Sequence, residues 1–98
     1  MEIENIRNGE SLVCKIKGRL DTNTAPELLE NLDLNGVKDL VFDLKEVDYV
    51  FSAGLRVFLQ AQKIMNANGG KMKIINIDSA IKSIFEMVGF ANIMDIES

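Results

Sequence analysis

Histidine is missing from the chain altogether. That removes the commonest general base and the commonest metal ligand from any chemistry the protein could perform. Cysteine occurs once, as Cys14, in an alternating run with Leu12 and Ile16. With no second cysteine there is no internal disulfide, which fits a reducing compartment. Nothing nearby in sequence would lower the thiol pKa, so a core role is expected for Cys14 rather than a reactive one. No apolar run approaches the ~20 residues of a membrane-spanning helix. The N-terminus also lacks the basic-then-apolar order of an export leader. These features predict a cytoplasmic protein without membrane insertion. Clustered basic charge is lacking too. The 11 Lys and Arg are thinly spread in a chain of net charge −4, whereas nucleic-acid binding by counterion release needs them together. The densest pair, Lys71 and Lys73, alternates with Met72 and Ile74 as on the solvent face of a strand. No nucleic-acid partner is expected.

What is present suffices for one core. The chain has 98 residues, 47% of them hydrophobic, which predicts a single domain over residues 1–98 that needs no metal or disulfide. Repeats, low-complexity tracts and linkers are absent, and turn signals divide the chain evenly. Ile3 and Ile6 mark a weak strand over residues 1–6, Asn8-Gly9 a hairpin, and residues 11–17 the return strand. Thr24-Ala25-Pro26-Glu27 reads as a capping box that opens a short helix with Leu28, Leu29 and Leu32 on its apolar face, ending near Asn35-Gly36. Residues 37–44 form a nearly continuous apolar strand, followed by a short acidic turn. A helix from Ser52 carries Leu55, Phe58, Leu59, Ala61, Ile64 and Met65 and stops at Asn68-Gly69-Gly70. Residues 71–77 give another strand. Asp78 or Ser79 caps a third helix with Ile81, Ile84, Phe85 and Val88 toward the core and Gly89 at its end. Residues 93–96 add a short edge strand. The expected architecture is α/β: a mixed sheet of four or five strands, an N-terminal hairpin, and three to four helices mostly on one face.

The segment Ser52-Ala53-Gly54-Leu55-Arg56-Val57 is the most informative. A strand, a turn and a serine at a helix start put a hydroxyl at the helix's electropositive end. A phosphate there is tolerated by the fold yet changes the surface a partner meets. The order of Gly18-Arg19-Leu20-Asp21, Thr24-Ala25-Pro26, Leu40-Val41-Phe42-Asp43-Leu44, Val50-Phe51-Ser52-Ala53-Gly54-Leu55, Gly69-Gly70 and Ile84-Phe85-Glu86-Met87-Val88-Gly89-Phe90 resembles STAS domains, the fold of bacterial anti-sigma factor antagonists. The resemblance spans essentially the whole chain and implies the STAS (SpoIIAA-like) fold.

It also implies a function. The unphosphorylated antagonist binds an anti-sigma factor that is itself an ATP-dependent serine kinase, and so frees a sigma factor. Phosphorylation of the serine two positions before the motif glycine, here Ser52, breaks the complex, and a serine phosphatase resets it. Asp21 matches the family's acidic residue in the loop that approaches this serine. The motif's usual leading aspartate is Phe51 here, which changes the charge beside the acceptor. The alternative is a STAS module that is not phosphorylated and serves as an adaptor subunit of a transporter or lipid-transport assembly.

The expected partner-binding residues are Asp21, Thr22, Asn23, Phe51, Ser52, Ala53, Gly54, Leu55 and Arg56. Each also has a plainer reading. Ser52 can be a helix cap alone, and Gly54 can serve a tight turn against a neighbouring loop or leave room for a partner. Arg56 can be a surface charge or, at i,i+4, a phosphate partner. Tyr49 and Phe51 can be core or strand-end aromatics, or Phe51, if exposed, a partner anchor. Asp21 can merely cap a turn. Asp43, Glu46 and Asp48 lie on a strand and its exit turn without a ligand-rich loop, so a solvated turn is expected and no metal. Ser52 has no histidine as base, Lys63 is more than two helical turns away, and Gly69-Gly70 follows a helix instead of preceding one. No enzyme activity and no cofactor are expected. A small-molecule-binding domain is the weakest reading, for want of a phosphate-cradling loop.

Overall fold

Gly9 takes a positive φ of 63°, and the turn it makes pairs β1 (Glu2–Asn8) antiparallel with β2 (Ser11–Leu20), Asn8 opposite Ser11. The computed structural model describes residues 1–51 and 53–98; Ser52 lies outside the described residues. After β2 come α1 (Ala25–Glu30), β3 (Asp39–Val50), α2 (Ala53–Ala67), β4 (Lys71–Ile75), α3 (Ser79–Met87), a 3-10 turn (Phe90–Asn92) and β5 (Asp95–Ile96). The sheet order is β1-β2-β3-β4-β5. Every pairing after the first is parallel, because each later strand is reached through a helix that returns the chain to the same end of the sheet. The mixed five-stranded sheet agrees with the expected architecture.

Alternation along the strands divides the sheet into two faces. Leu12, Cys14, Ile16 and Leu20 of β2, Leu40, Phe42 and Leu44 of β3, and Met72 and Ile74 of β4 are buried on one of them. Phe58 of α2 meets Phe42 edge-on at 4.9 Å, and Phe85 of α3 lies 5.4 Å from Phe58, so these helices cover that face. Among the described residues no helix covers the other face, which alternates Glu4, Lys15 and Asp43 across the hydrogen-bonded register.

Several expected details come out differently. The acidic turn after residue 44 is strand: β3 runs twelve residues to Val50. Its register against β2 slips between Lys15 and Lys17 and again between Gly18 and Arg19. Each slip leaves one extra residue on β3, the signature of a β-bulge. Asp43 Oδ1 accepts from the Lys45 N–H at 3.0 Å within the first of them.

The capping box does not form. Thr24 stands at the N-cap without a side-chain cap bond; its hydroxyl accepts from Asp21 N–H and donates to Arg19 C=O, both at 2.9 Å. A local turn has outcompeted the helix for that oxygen. Helix α1 also ends at Glu30, not near Gly36, since the Asn31 amide donates to the Glu27 carbonyl at 2.8 Å and closes the last turn. So short a helix buries one narrow stripe: Leu28 is inside, Leu32 is half-buried and Leu29 is exposed.

On α2 the buried stripe is Gly54, Val57, Phe58, Ala61, Gln62 and Met65. Leu55 and Leu59 lie on its flank, half-buried. Ile64, expected inside, is exposed, roughly a quarter-turn from the stripe's centre. Gln62 is buried in its stead, with its amide on Asn66 Oδ1 at 2.9 Å. Asp78 caps α3 as expected, accepting from Ala80 N–H at 3.1 Å. Ile81 and Phe85 are buried, Ile84 is half-buried, and Val88, expected toward the core, is exposed. Strand β4 stops at Ile75 and not at residue 77, because Asn76 turns the chain with a φ of 56°.

Candidate functional site

Strands β2 and β3 are parallel, so their C-terminal ends lie side by side, Leu20 opposite Val50. The loops that follow them are therefore neighbours: residues 21–24 lead into α1 and residue 51 leads to α2. One backbone bond ties them, from Phe51 N–H to Leu20 C=O at 3.0 Å. The expected partner-binding residues Asp21, Thr22 and Asn23 are thus brought to the same end of the sheet as Phe51, Ala53, Gly54, Leu55 and Arg56. Ser52, the expected phosphoacceptor, lies outside the described residues.

Asp21 organises the first loop. Its Oδ1 accepts from the Asn23 N–H at 2.9 Å and the Thr24 N–H at 3.2 Å, a turn closed by a side chain. The Asn23 N–H above all, then that of Thr24 and the charge of Arg19, hold its carboxyl below the usual aspartate range against a partial loss of hydration. Its other oxygen lies 3.6 Å from Arg19 Nε. Asp21 therefore caps a turn while still presenting a charge. Thr22 and Asn23 are exposed beside it.

Gly54 is buried, and its reason is internal. A Cβ there would stand 2.8 Å from both Leu20 Cγ and the Leu20 carbonyl oxygen, so the first turn of α2 rests directly on the end of β2. The room that glycine makes is filled by Leu20, which fits the tight-turn reading. Ala53 and Leu55 are half-buried against the core, and Arg56 is exposed on the first turn.

Phe51 is 52% and Tyr49 38% exposed. Val50 between them is buried, so both rings stand on the helix-free face. They stack at 6.0 Å between centroids with planes 15° apart. Arg19, paired with Tyr49 across β2 and β3, sets its guanidinium carbon 4.5 Å from the centre of the tyrosine ring, a contact of about 0.5–1 kcal/mol at an exposed site. Of these three, the sequence marks Phe51 as a site residue, leaves Tyr49 open between readings and gives no sign of Arg19. Following the alternation of β2 out to Leu20 would have placed Arg19 on this face, but the second bulge, which pairs it with Tyr49, leaves no mark in the composition of β3.

The acidic residues of β3 make ordinary contacts. Asp43 also accepts from the Asn76 amide at 3.1 Å, and Glu46 lies 3.9 Å from Lys17.

A family model described as the STAS domain matches residues 2–98. The chain belongs to the STAS domain family. An anti-sigma-B factor antagonist of Staphylococcus aureus is 30% identical over 99 residues, covering 98% of this chain and 92% of that protein. Among solved structures, the anti-sigma factor antagonist SpoIIAA in its unphosphorylated form matches with a TM-score of 0.78 and 13% identity, over 99% of this chain and 87% of that one. The phosphorylated form of Bacillus SpoIIAA matches with a TM-score of 0.71 and 15% identity, over 99% and 92%. At these identities the two structures speak for the fold, and the Staphylococcus relative for the family. This STAS domain has among its described residues no helix long and apolar enough to cross a membrane.

Proposed function

We propose that this STAS domain is an anti-sigma factor antagonist that binds an anti-sigma factor kinase when unphosphorylated and is released when Ser52 is phosphorylated. The observation that carries this is the adjacency of the strand ends from which the two segments leave, Leu20 opposite Val50 with Phe51 N–H on the Leu20 carbonyl. It supports one surface built from two segments that match the family motif separately. The Staphylococcus relative, an anti-sigma-B factor antagonist, supports the class of partner. Bacillus SpoIIAA, solved in a phosphorylated form, supports a phosphorylated state for this fold. In the cycle, Asp21, Thr22, Asn23, Phe51, Ala53, Leu55 and Arg56 contribute to the partner surface, and Gly54 lets α2 seat on Leu20. A phosphate on Ser52 adds roughly two negative charges to that surface. At a helix N-terminus such charge favours the helix by about 0.3–1 kcal/mol, so phosphorylation acts on the complex and not on the fold. A serine phosphatase then restores the binding form. The protein itself contributes a surface and an acceptor hydroxyl, with no catalytic group of its own.

The test uses an ATP-binding anti-sigma factor kinase from the same organism. With ADP it should bind the wild-type protein. With ATP it should phosphorylate Ser52, seen as a single added phosphate by mass spectrometry, and release it. Ser52→Asp should keep its thermal midpoint within a few degrees and lose binding, while Ser52→Ala should bind in either nucleotide. A wild-type chain that is bound by a permease or lipid-transport subunit, and left unmodified by any such kinase, would establish the adaptor role instead.

A further inference from the structure

The helix-free face is mostly charged, and its two aromatic side chains, Tyr49 and Phe51, stand together at the end that borders the candidate site. We infer that Arg19, Tyr49 and Phe51 form the specificity-determining part of the partner surface, and that they receive a segment of the anti-sigma factor carrying a carboxylate next to an apolar side chain. This rests on the proposed function and adds the chemistry of the contact and two residues, Arg19 and Tyr49, outside the family motif's phosphoacceptor segment.

The patch is preorganised. Phe51 is stacked on Tyr49, and Arg19 lies against the same tyrosine. These mutual contacts already favour one arrangement of the three side chains, which lowers the ordering cost of binding. Rigid Tyr and Arg side chains beside an exposed apolar ring match the composition of interface hot spots. Its one cation, Arg19, suits an acidic group on the partner. Asp21 is engaged by the backbone N–H groups of Asn23 and Thr24 and meets Arg19 only through Nε. The Arg19 side chain is 62% exposed, and a guanidinium open to this extent suits a carboxylate, which it can grip with two parallel bonds. The half-exposed ring of Phe51 beside it suits an apolar neighbour of that carboxylate.

Tyr49 is the one tyrosine in a chain without tryptophan, so tyrosine fluorescence of this protein reports on the stack alone. The experiment titrates the anti-sigma factor kinase that binds the wild-type chain, in ADP, against Arg19→Glu, Arg19→Lys, Phe51→Ser and Tyr49→Phe. Arg19→Glu and Phe51→Ser should each weaken binding tenfold or more with thermal midpoints within a few degrees of wild type. Arg19→Lys, which keeps the charge and loses the planar fork, should fall between. Tyr49→Phe keeps the ring and should bind as wild type. Replacing the contacting partner carboxylate by lysine should restore binding of Arg19→Glu, and wild-type Tyr49 emission should change on complex formation. If Arg19→Glu and Phe51→Ser both bind within threefold of wild type, the inference is wrong while the proposed function stands. If no such kinase binds the wild-type chain, both fall. Should Arg19→Glu fail to fold, Phe51→Ser and Arg19→Lys decide the matter by themselves.

Discussion

The chain's six aromatic residues divide between two regions that treat them in opposite ways. Phe42, Phe58, Phe85 and Phe90 form a buried series beneath the helices, with successive centroids 4.9, 5.4 and 5.6 Å apart. Two of these three contacts are near-perpendicular, the geometry in which the positive edge of one ring meets the negative face of the next. Tyr49 and Phe51 lie on the helix-free face, near-parallel and open to water. The first group is held by everything around it and stabilises the fold. The second is held by one another and by Arg19, and its apolar surface stays uncovered. The same residue type is thus buried under the helices and open to water outside them, and the difference is set by what covers it.

The sharpest way to break this comparison is to truncate one ring from each group. Phe58→Ala should cost about 3–5 kcal/mol by denaturant unfolding, because it removes a fully buried ring and leaves a cavity. Phe51→Ala should cost less than about 1 kcal/mol, as surface substitutions usually do. Equal losses would mean that the outer pair is also structural.

Next in size is Gly54→Ala. Helix propensity alone would favour it by up to ~1 kcal/mol, yet the added methyl meets the Leu20 carbonyl at 2.8 Å. A net loss of about 1–3 kcal/mol is expected, the usual range for overpacking. A more stable variant would show that the seat of α2 on β2 is not tight.

Cys14 sharpens the inner side through pH. Burial pushes its thiol from 9.0 up to about 12. In the unfolded chain the thiol ionises first, so the folded state keeps a proton that the unfolded state has lost. Stability is therefore full below pH ~9 and falls between about 9 and 12, by up to ~1.4 kcal/mol per pH unit. Melting curves of Cys14→Ala and wild type should converge over that window, and a constant gap would refute the buried-thiol reading.

The smallest effect belongs to the outer side. Asp21 has a lowered pKa, so the unfolded chain takes up a proton first as pH falls. Its contribution is present above pH ~4 and is lost below. The difference in thermal midpoint between wild type and Asp21→Asn should shrink from pH 6 to pH 3. A gap that does not respond to pH would show that the Asp21 turn works through its shape and not its charge.

Much of the fold was legible from local pattern. Period-two alternation at Leu12, Cys14 and Ile16 assigned the core face of β2, Asn8-Gly9 placed the hairpin, and Asp78 with Gly89 bracketed α3. These succeed because turn chemistry and strand alternation involve residues a few positions apart. The errors share one cause, competition from residues far away or from a second local use of the same atom. Thr24 looked like a helix cap, but the Asp21 turn took its hydroxyl. Ile64 looked like core, but the sheet met a stripe of α2 that buries Gln62.

For the candidate site, the sequence by itself singled out the segments proposed to meet a partner, 21–23 and 51–56, and the aromatic Phe51 at the head of the second. It determined the two faces of the sheet as well, since alternation is a property of the extended backbone. Only the tertiary structure decided that Gly54 exists to admit Leu20, and that Arg19, Tyr49 and Phe51 form one surface. Both depend on register between β2 and β3, which two bulges shift by one residue each. Register is fixed by the summed packing and hydrogen bonding of two whole strands, and no short stretch of sequence carries that sum.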